Sequence, residues 1–404
     1  MIRTKTAIEI PDYYEFCCRV NMVAGHDALE QIPGLLAAQG ASNPMIITDK
    51  GVSGAGLVDI VTGAIQENLT IKCIKDDVPP DSDLHVVNRL ATVYRDNQCD
   101  SIIAVGGGSV MDTAKGVNIL VSENGDDLMQ FTGAGALKKK LNPLIAVPTT
   151  AGTGSEVTLV AVIADHDNNR KMAFASYFLL PDAAVIDSRM TLTLPPHITA
   201  ATAMDAMAHA VESYTMLAKN PLSDSHAVQA ISMIKTHLLD VIDQPDNKDG
   251  RLALAAAATL AGIAFSNAMV GMVHALGHSF GSVCHIPHGS CMAILLPYGL
   301  EYNLHKIENR VADLLLPLEG SPIYSRTPQQ DRAQAVIASI RQFNQDLCSA
   351  TNGMHATCFK DIRDRDGSPM VTEDILPEVA KTALGDGAQF YNSEDVDYSE
   401  WLMV

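Results

Sequence analysis

Three short stretches in the second half of the chain carry the spacing of a ligand set. DAMAHAVE (Asp205 to Glu212) puts Asp205 and His209 four residues apart, and GMVHALGHSFG (Gly271 to Gly281) repeats the interval with His274 and His278. IPHG (Ile286 to Gly289) adds His288 directly after a proline. On a helix, residues four apart share a face, with Cβ atoms about 5–6 Å apart. Pro287 should interrupt or start a helix and let the chain turn back. One carboxylate and several imidazoles then converge between helices, as metal ligands do inside helical domains. Either pair alone is more often an ordinary helix pair, and the HxxxH here is not the zinc-protease motif, because Ala275 stands where that motif has its general base. Together, in an Ala-rich and charge-poor region, the imidazoles need partners, and their types suit a divalent transition metal. Cys284, near His285 and His288, does not make this a zinc cluster, since tetrahedral cysteine sites usually hold two or more thiolates.

The elements that must position other chemistry lie upstream. Ser101 to Val105 is an apolar strand that runs into Gly106-Gly107-Gly108-Ser109 and then a helix through Lys115. Glycines let backbone approach a phosphate, and the helix N-terminus offers free N–H groups and a positive dipole end. The pattern is not GxGxxG, and Asp49, the acidic residue suited to a ribose, precedes the glycines instead of following them by about 20 residues. A variant dinucleotide fold fits better than the standard one. Leu144 to Val147 is another strand, ending in a run from Pro148 to Glu156 whose hydroxyls and glycines suit a polar ligand at that edge of an α/β sheet.

The remaining pattern is α/β up to Leu194. A possible short strand near Ile8 is followed by a helix over 28–39, ended by Gly40. Strands are expected at 45–48, 70–74, 157–163 and 183–186, and helices from about 52 and over 83–97. At Leu194-Pro195-Pro196 the strand patterns end, and helical patterns follow at about 199–217, 222–243, 250–265 and 268–282, with the chain to about Ala383 also reading as helical. We place an α/β nucleotide-binding domain at 1–194 and an all-helical metal-binding and catalytic domain at 195–404.

Composition bounds the partners. The 404 residues are 47% hydrophobic and 19% charged, as in a globular protein. A net charge of -19 argues against nucleic acid or an anionic membrane as partner. The eight cysteines contain no CxxC pair and no secretory signal is evident, so free thiols in a reducing cytoplasm are expected. Leu252 to Val273 is long and uncharged enough to span a bilayer. Its Ala-rich composition, with Ser266 and Asn267, reads as a buried core helix.

The motifs DAMAHAVE, GMVHALGHSFG and PHG, with GGGSVMDTAK and PTTAGTGSEVT upstream, resemble the iron-containing (group III) alcohol dehydrogenases. The resemblance is good from about residue 15 to 310 and weaker beyond. It implies that Asp205, His209, His274 and His288 bind one divalent ion, usually Fe(II); Zn(II) should bind at least as tightly, since affinity rises along the first-row series. It implies that Gly106, Gly107, Gly108 and Ser109 contact a pyrophosphate, that Asp49 favours NAD(H), and that Thr149, Thr150, Thr153 and Lys171 contact the cofactor. His278, near the ligands but not one of them, would position substrate or cofactor and relay a proton. The implied fold is a variant Rossmann-like domain followed by an all-α domain, as in dehydroquinate synthase, in a homodimer or higher homo-oligomer. The implied reaction interconverts a small primary alcohol and its aldehyde by hydride transfer. Phe265, Met269, Leu159 and Val160 would form an apolar wall for a small substrate. Two alternatives stay open. One is reduction of an aldehyde with an anionic group, clamped by Lys171 or Arg189; the other is a lyase of the dehydroquinate synthase type. The chain departs from relatives at Val78-Pro79-Pro80-Asp81, Leu159-Val160, Ala203 and the acidic end from Asn392, which bears on the substrate.

Overall fold

A computed structural model describes residues 10–168, 170–364 and 366–402; the expected strand near Ile8 lies outside them. The chain folds into two compact units. One comprises Cys17–Leu194 with Pro245–Gly262, and the other Met1–Phe16, Pro195–Gln244 and Ile263–Val404.

The first unit contains β1 (Asn21–Gly25), β2 (Pro44–Ile47), β3 (Cys73–Lys75), β4 (Ser101–Gly106), β5 (Gly133–Ala134), β6 (Leu144–Pro148), β7 (Val160–Asp165), β8 (Arg170–Ala175) and β9 (Ala183–Asp187). Its helices are α1 (Ile32–Ala38), α2 (Lys50–Gly54), α3 (Leu57–Ile65), α4 (Leu84–Asp96) and α5 (Gly108–Glu123). A six-stranded sheet in the order β1-β9-β6-β4-β2-β3 has all its pairs parallel. Side chains alternate between its faces, as the two-residue strand period demands. Met45, Ile47, Ile102, Ala104 and Ala146 join one core with α4 and α5 residues. Ile46, Ile103, Val105, Ile145 and Val147 join the other with α1 and α3 residues. Burial on both faces explains why these strands read as apolar runs and not as alternating ones.

The strand order reverses between β2 and β4, so the carboxyl ends of these two neighbours form the switch point where α/β sheets bind ligands. The structure also adds elements that the sequence pattern hid. The edge strand β1 was not expected, nor was β8, which pairs antiparallel with β7 in a separate three-stranded sheet. The strand expected at 157–163 begins later, at Val160, because Ser155–Val157 is a 3-10 turn.

The second unit is helical: α6 (Pro196–Thr215), α7 (Pro221–Asp243), the end of α8 (Lys248–Ala268), α9 (Met272–Cys284), α10 (His288–Asp313), α11 (Leu315–Arg326), α12 (Arg332–Ala350), α13 (Leu376–Ala383) and α14 (Tyr398–Trp401). Helix α8 is the apolar run noted above, and two thirds of its most apolar window is buried inside the protein, as in a core helix. The helix expected to start at 268 starts at Met272, since Met269 takes a left-handed backbone (φ 65°) that ends α8. The expected helical run to Ala383 is broken over 351–375 by turns and short 3-10 segments.

Candidate metal and cofactor sites

Asp205, His209 and Glu212 lie on α6 at intervals of four and three, one face of the helix. His274 and His278 lie on α9, and His288 opens α10 immediately after Pro287. The turn between α9 and α10 uses a left-handed His285 (φ 57°). Helix α10 then presses against α6 so closely that a Cβ on Gly289 would sit 2.3 Å from the carbonyl oxygen of Ala201. Any larger residue there would push His288 away from α6.

Ligand atoms of Asp205, His209 and His274 lie within 4.8 Å of one another, and all three residues are buried. From Asp205 Oδ1, His288 Nε2 is 3.3 Å away, His209 Nδ1 3.8 Å and His274 Nε2 3.9 Å. His209 Nδ1 and His274 Nε2 are buried and make no hydrogen bond. Leaving such atoms unpaired costs roughly 1–3 kcal/mol each, unless an ion takes the place of a donor. Burial opposes the charge on Asp205, but the imidazoles of His209, His288 and His274 hold its carboxylate well below the usual range. Burial drives His209 down to about 3 and His274 well below its ordinary value, so both rings are neutral and keep a lone pair. One carboxylate with three imidazoles fits a divalent first-row ion.

Two residues that the spacing did not single out orient histidines here, Glu212 at His274 and Asp386 at His278. Glu212 accepts from His274 Nδ1 and, at 2.9 Å, from the backbone N–H of Val273. Burial raises its carboxyl to about 7 against these hydrogen bonds. Asp386, beyond α13, lies 2.8 Å from His278 Nδ1. His278 stacks on His288, with ring centroids 5.3 Å apart, and Phe265 stacks on His209 at 4.3 Å. Glu212 was visible as part of DAMAHAVE; nothing local marked Asp386. The end from Asn392 is also tied in: Asn392 is buried and exchanges hydrogen bonds of 3.0 Å with Asn303.

In the α/β unit, the carboxyl ends of three adjacent strands carry the other expected residues. Asp49 follows β2, Gly106 ends β4 and Gly107 to Ser109 follow it, and Thr149 to Thr153 follow β6. The glycine and threonine loops touch: a Cβ on Gly107 would meet Thr150 Oγ1 at 3.4 Å, and one on Gly108 would meet Thr153 Cγ2 at 3.1 Å. Thr149 N donates to Gly106 O at 3.1 Å. Gly107 precedes α5 with no side-chain cap, leaving the helix's first N–H groups to a ligand. Asp49 also caps α2, accepting from Val52 N at 2.9 Å. Lys171, on β8, pairs with Asp81 at 3.1 Å and is half exposed. Arg189 is committed to Asp187 and Glu30, at 2.7 and 2.8 Å, which leaves it little freedom to clamp an anionic substrate.

The rest of the two upstream motifs is structural. Lys115 is buried and donates to Thr158 O and Oγ1 at 2.9 Å and to Val160 O at 2.8 Å, fastening β7 to α5. Asp112 accepts from Val162 N at 3.0 Å, and buried Glu156 accepts from Thr259 at 2.7 Å.

Comparison with known proteins agrees with this geometry. The model of the iron-containing alcohol dehydrogenases matches residues 20–188, and that of the C-terminal domain of the same family matches 199–396. The chain is 35% identical over 371 residues to 1,3-propanediol dehydrogenase of Klebsiella pneumoniae, covering 91% of this chain and 92% of that protein. It is 31% identical to NAD-dependent methanol dehydrogenase of Bacillus methanolicus, covering 80% and 84%. A crystal structure of 1,3-propanediol oxidoreductase superposes with a TM-score of 0.89 at 32% identity, covering 97% and 98%. The chain therefore belongs to the iron-containing alcohol dehydrogenase family, and is an oxidoreductase with that family's α/β and helical architecture and its metal site at Asp205, His209 and His274.

Proposed function

We propose that the protein uses NAD(H) and Fe(II) to interconvert a small primary alcohol and its aldehyde. The observation that carries the reading is the convergence of Asp205 with His209, His274 and His288, where buried ring nitrogens of His209 and His274 make no hydrogen bond. These four residues would hold the ion; Zn(II) would bind at least as well, since affinity rises along the first-row series. When bound, a divalent ion supplies a Lewis acid that polarises a substrate oxygen and lowers its pKa.

The chain's own residues supply the rest. With Nδ1–H of His274 given to Glu212, Nε2 keeps its lone pair toward Asp205. With Nδ1–H of His278 given to Asp386, its Nε2 is left to take the proton released from the alcohol and pass it outward. Asp49, the loop from Gly106 to Ser109, Thr149, Thr150, Thr153 and Lys171 would bind the dinucleotide, its pyrophosphate at the N-terminus of α5. When bound, the dinucleotide would supply the hydride acceptor or donor. The named relatives acting on propanediol and methanol support a small substrate, and Phe265 supplies an apolar face beside His209. Family membership argues against the lyase alternative, and the ion pairs of Arg189 with Asp187 and Glu30 argue against its clamping an anionic aldehyde. The free cysteines are consistent with a cytoplasmic protein.

The test follows NADH absorbance with iron-loaded protein and aldehydes of two to four carbons, beside acidic analogues of equal length. An apolar wall discriminates by only about 1–3 kcal/mol per methylene, so graded activity across the neutral series is expected. A preference for the acidic analogues above roughly a hundredfold, about 2.7 kcal/mol, overturns the neutral-substrate reading.

A further inference from the structure

Away from both sites, two cysteines meet at the opposite edge of the six-stranded sheet. Cys73 opens β3, and Cys99 lies two residues ahead of β4. Their Sγ atoms are 3.9 Å apart, in van der Waals contact, and both side chains are only partly buried. The register explains the meeting. Cys73 pairs with Met45 and Ser101 with Pro44, so both cysteines lie over the amino end of β2, the strand between β3 and β4. The backbone beside each is fixed: Lys72 N, next to Cys73, donates to Pro44 O at 3.0 Å, and Cys99 N to Tyr94 O at 3.0 Å.

We propose that Cys73 and Cys99 form a redox-active dithiol that closes to an intramolecular disulfide when the protein meets a small-molecule disulfide oxidant. One cysteine thiolate attacks the oxidant, forming a mixed disulfide and expelling one small thiol. The other then attacks the protein sulfur of that mixed disulfide and expels the second. The two cysteines are oxidised by two electrons, the oxidant is reduced to two thiols, and the two cysteine protons end on them. Burial pushes both thiols up, Cys99 to about 12, so thiolate is scarce and closure is slow.

The position of the bond sets its effect. Strand β3 is a three-residue edge strand, paired among the described residues on one side alone, the kind of element that opens first. The bond would clip it to the start of β4. The closed loop contains α4 and the Pro80–Ser82 segment, which holds Ser109 through hydrogen bonds from Ser109 Oγ to Pro80 O and, at 2.7 Å, from Ser82 Oγ to Ser109 O. The bond itself lies at the amino ends of the strands, away from Asp49 and the glycine loop at their carboxyl ends. Closure should therefore stabilise the α/β unit.

The test incubates the full-length protein with glutathione disulfide, alkylates remaining thiols in denaturant, and maps non-reduced peptides by mass spectrometry. A Cys73–Cys99 linked pair is expected, abolished by dithiothreitol. The oxidised protein should melt several degrees higher, because the cross-link restricts the unfolded chain, and Cys73→Ser and Cys99→Ser should lose that rise. Recovery of both cysteines alkylated, or of glutathione on one without the link, overturns the proposal; this arm needs no variant to fold.

Discussion

Replacing Glu212 by Gln isolates the part that sets the direction of His274. The carboxylate accepts from His274 Nδ1 and from Val273 N. Gln keeps the shape and one acceptor oxygen, but its amide nitrogen is a donor and faces one of those donors. The loss is one charge-assisted hydrogen bond, about 1.5–3 kcal/mol where it is made. A residue that orients a metal-ligating histidine typically contributes 10–100-fold in metal affinity, which is about 1.4–2.7 kcal/mol, so the two routes agree. The expected outcome is a rise in the dissociation constant of Fe(II) and Zn(II) within that range, with the NADH dissociation constant unchanged. Competition against a chromophoric chelator, anaerobic for iron, measures it, and circular dichroism checks the fold. A metal dissociation constant within threefold of the parent, in a folded variant, refutes the orienting role.

Three further outcomes follow from the same geometry. Asp49→Ser keeps a cap for α2 but removes the charge, so the preference for NADH over NADPH should narrow by at least tenfold in kcat/KM while the melting temperature stays nearly constant; an unchanged ratio removes Asp49 from cofactor selection. Asp386→Asn should lower kcat with the metal content and KM largely preserved, and Asp386→Glu should restore part of the loss; equal loss in both variants, or loss of metal, points to a structural role instead. Burial raises Asp112 to about 6, above its ordinary 3.8. The native state thus binds this proton more tightly than the unfolded chain, so the carboxylate costs stability above pH 6 and the cost is released as pH falls from about 6 toward 4. Relative to Asp112→Asn, the parent should gain stability on acidification across that window, read from urea midpoints; a constant difference contradicts the assignment.

The ligand spacing was legible because it is local. Asp205 and His209, and His274 and His278, repeat a helical interval that needs no tertiary knowledge, and Pro287 marked the turn that brings in His288. The buried strands β2, β4, β6 and β9 were legible as apolar runs for the same reason. What was missed depends on contacts made across long separations or on exposed edges. Asp386 reaches His278 over 108 residues of chain. β1 is half exposed at the sheet edge, and β8 opens with Arg170 and Lys171, so neither looks like a core strand. The start of α9 moved to Met272 because Met269 adopts a left-handed backbone that a residue of its type rarely takes.

The central claim is metal-dependent hydride transfer at the Asp205, His209, His274 and His288 cluster. The most direct measurement supplies NADH dideuterated at C4 and a two-carbon aldehyde to iron-loaded protein, metal-stripped protein and iron-treated His274→Ala, and analyses the product alcohol by mass spectrometry. The account predicts that the iron-loaded protein alone gives alcohol carrying one deuterium on the former carbonyl carbon. Alcohol without deuterium, or deuterated alcohol formed equally well by the stripped protein or by His274→Ala, would contradict it.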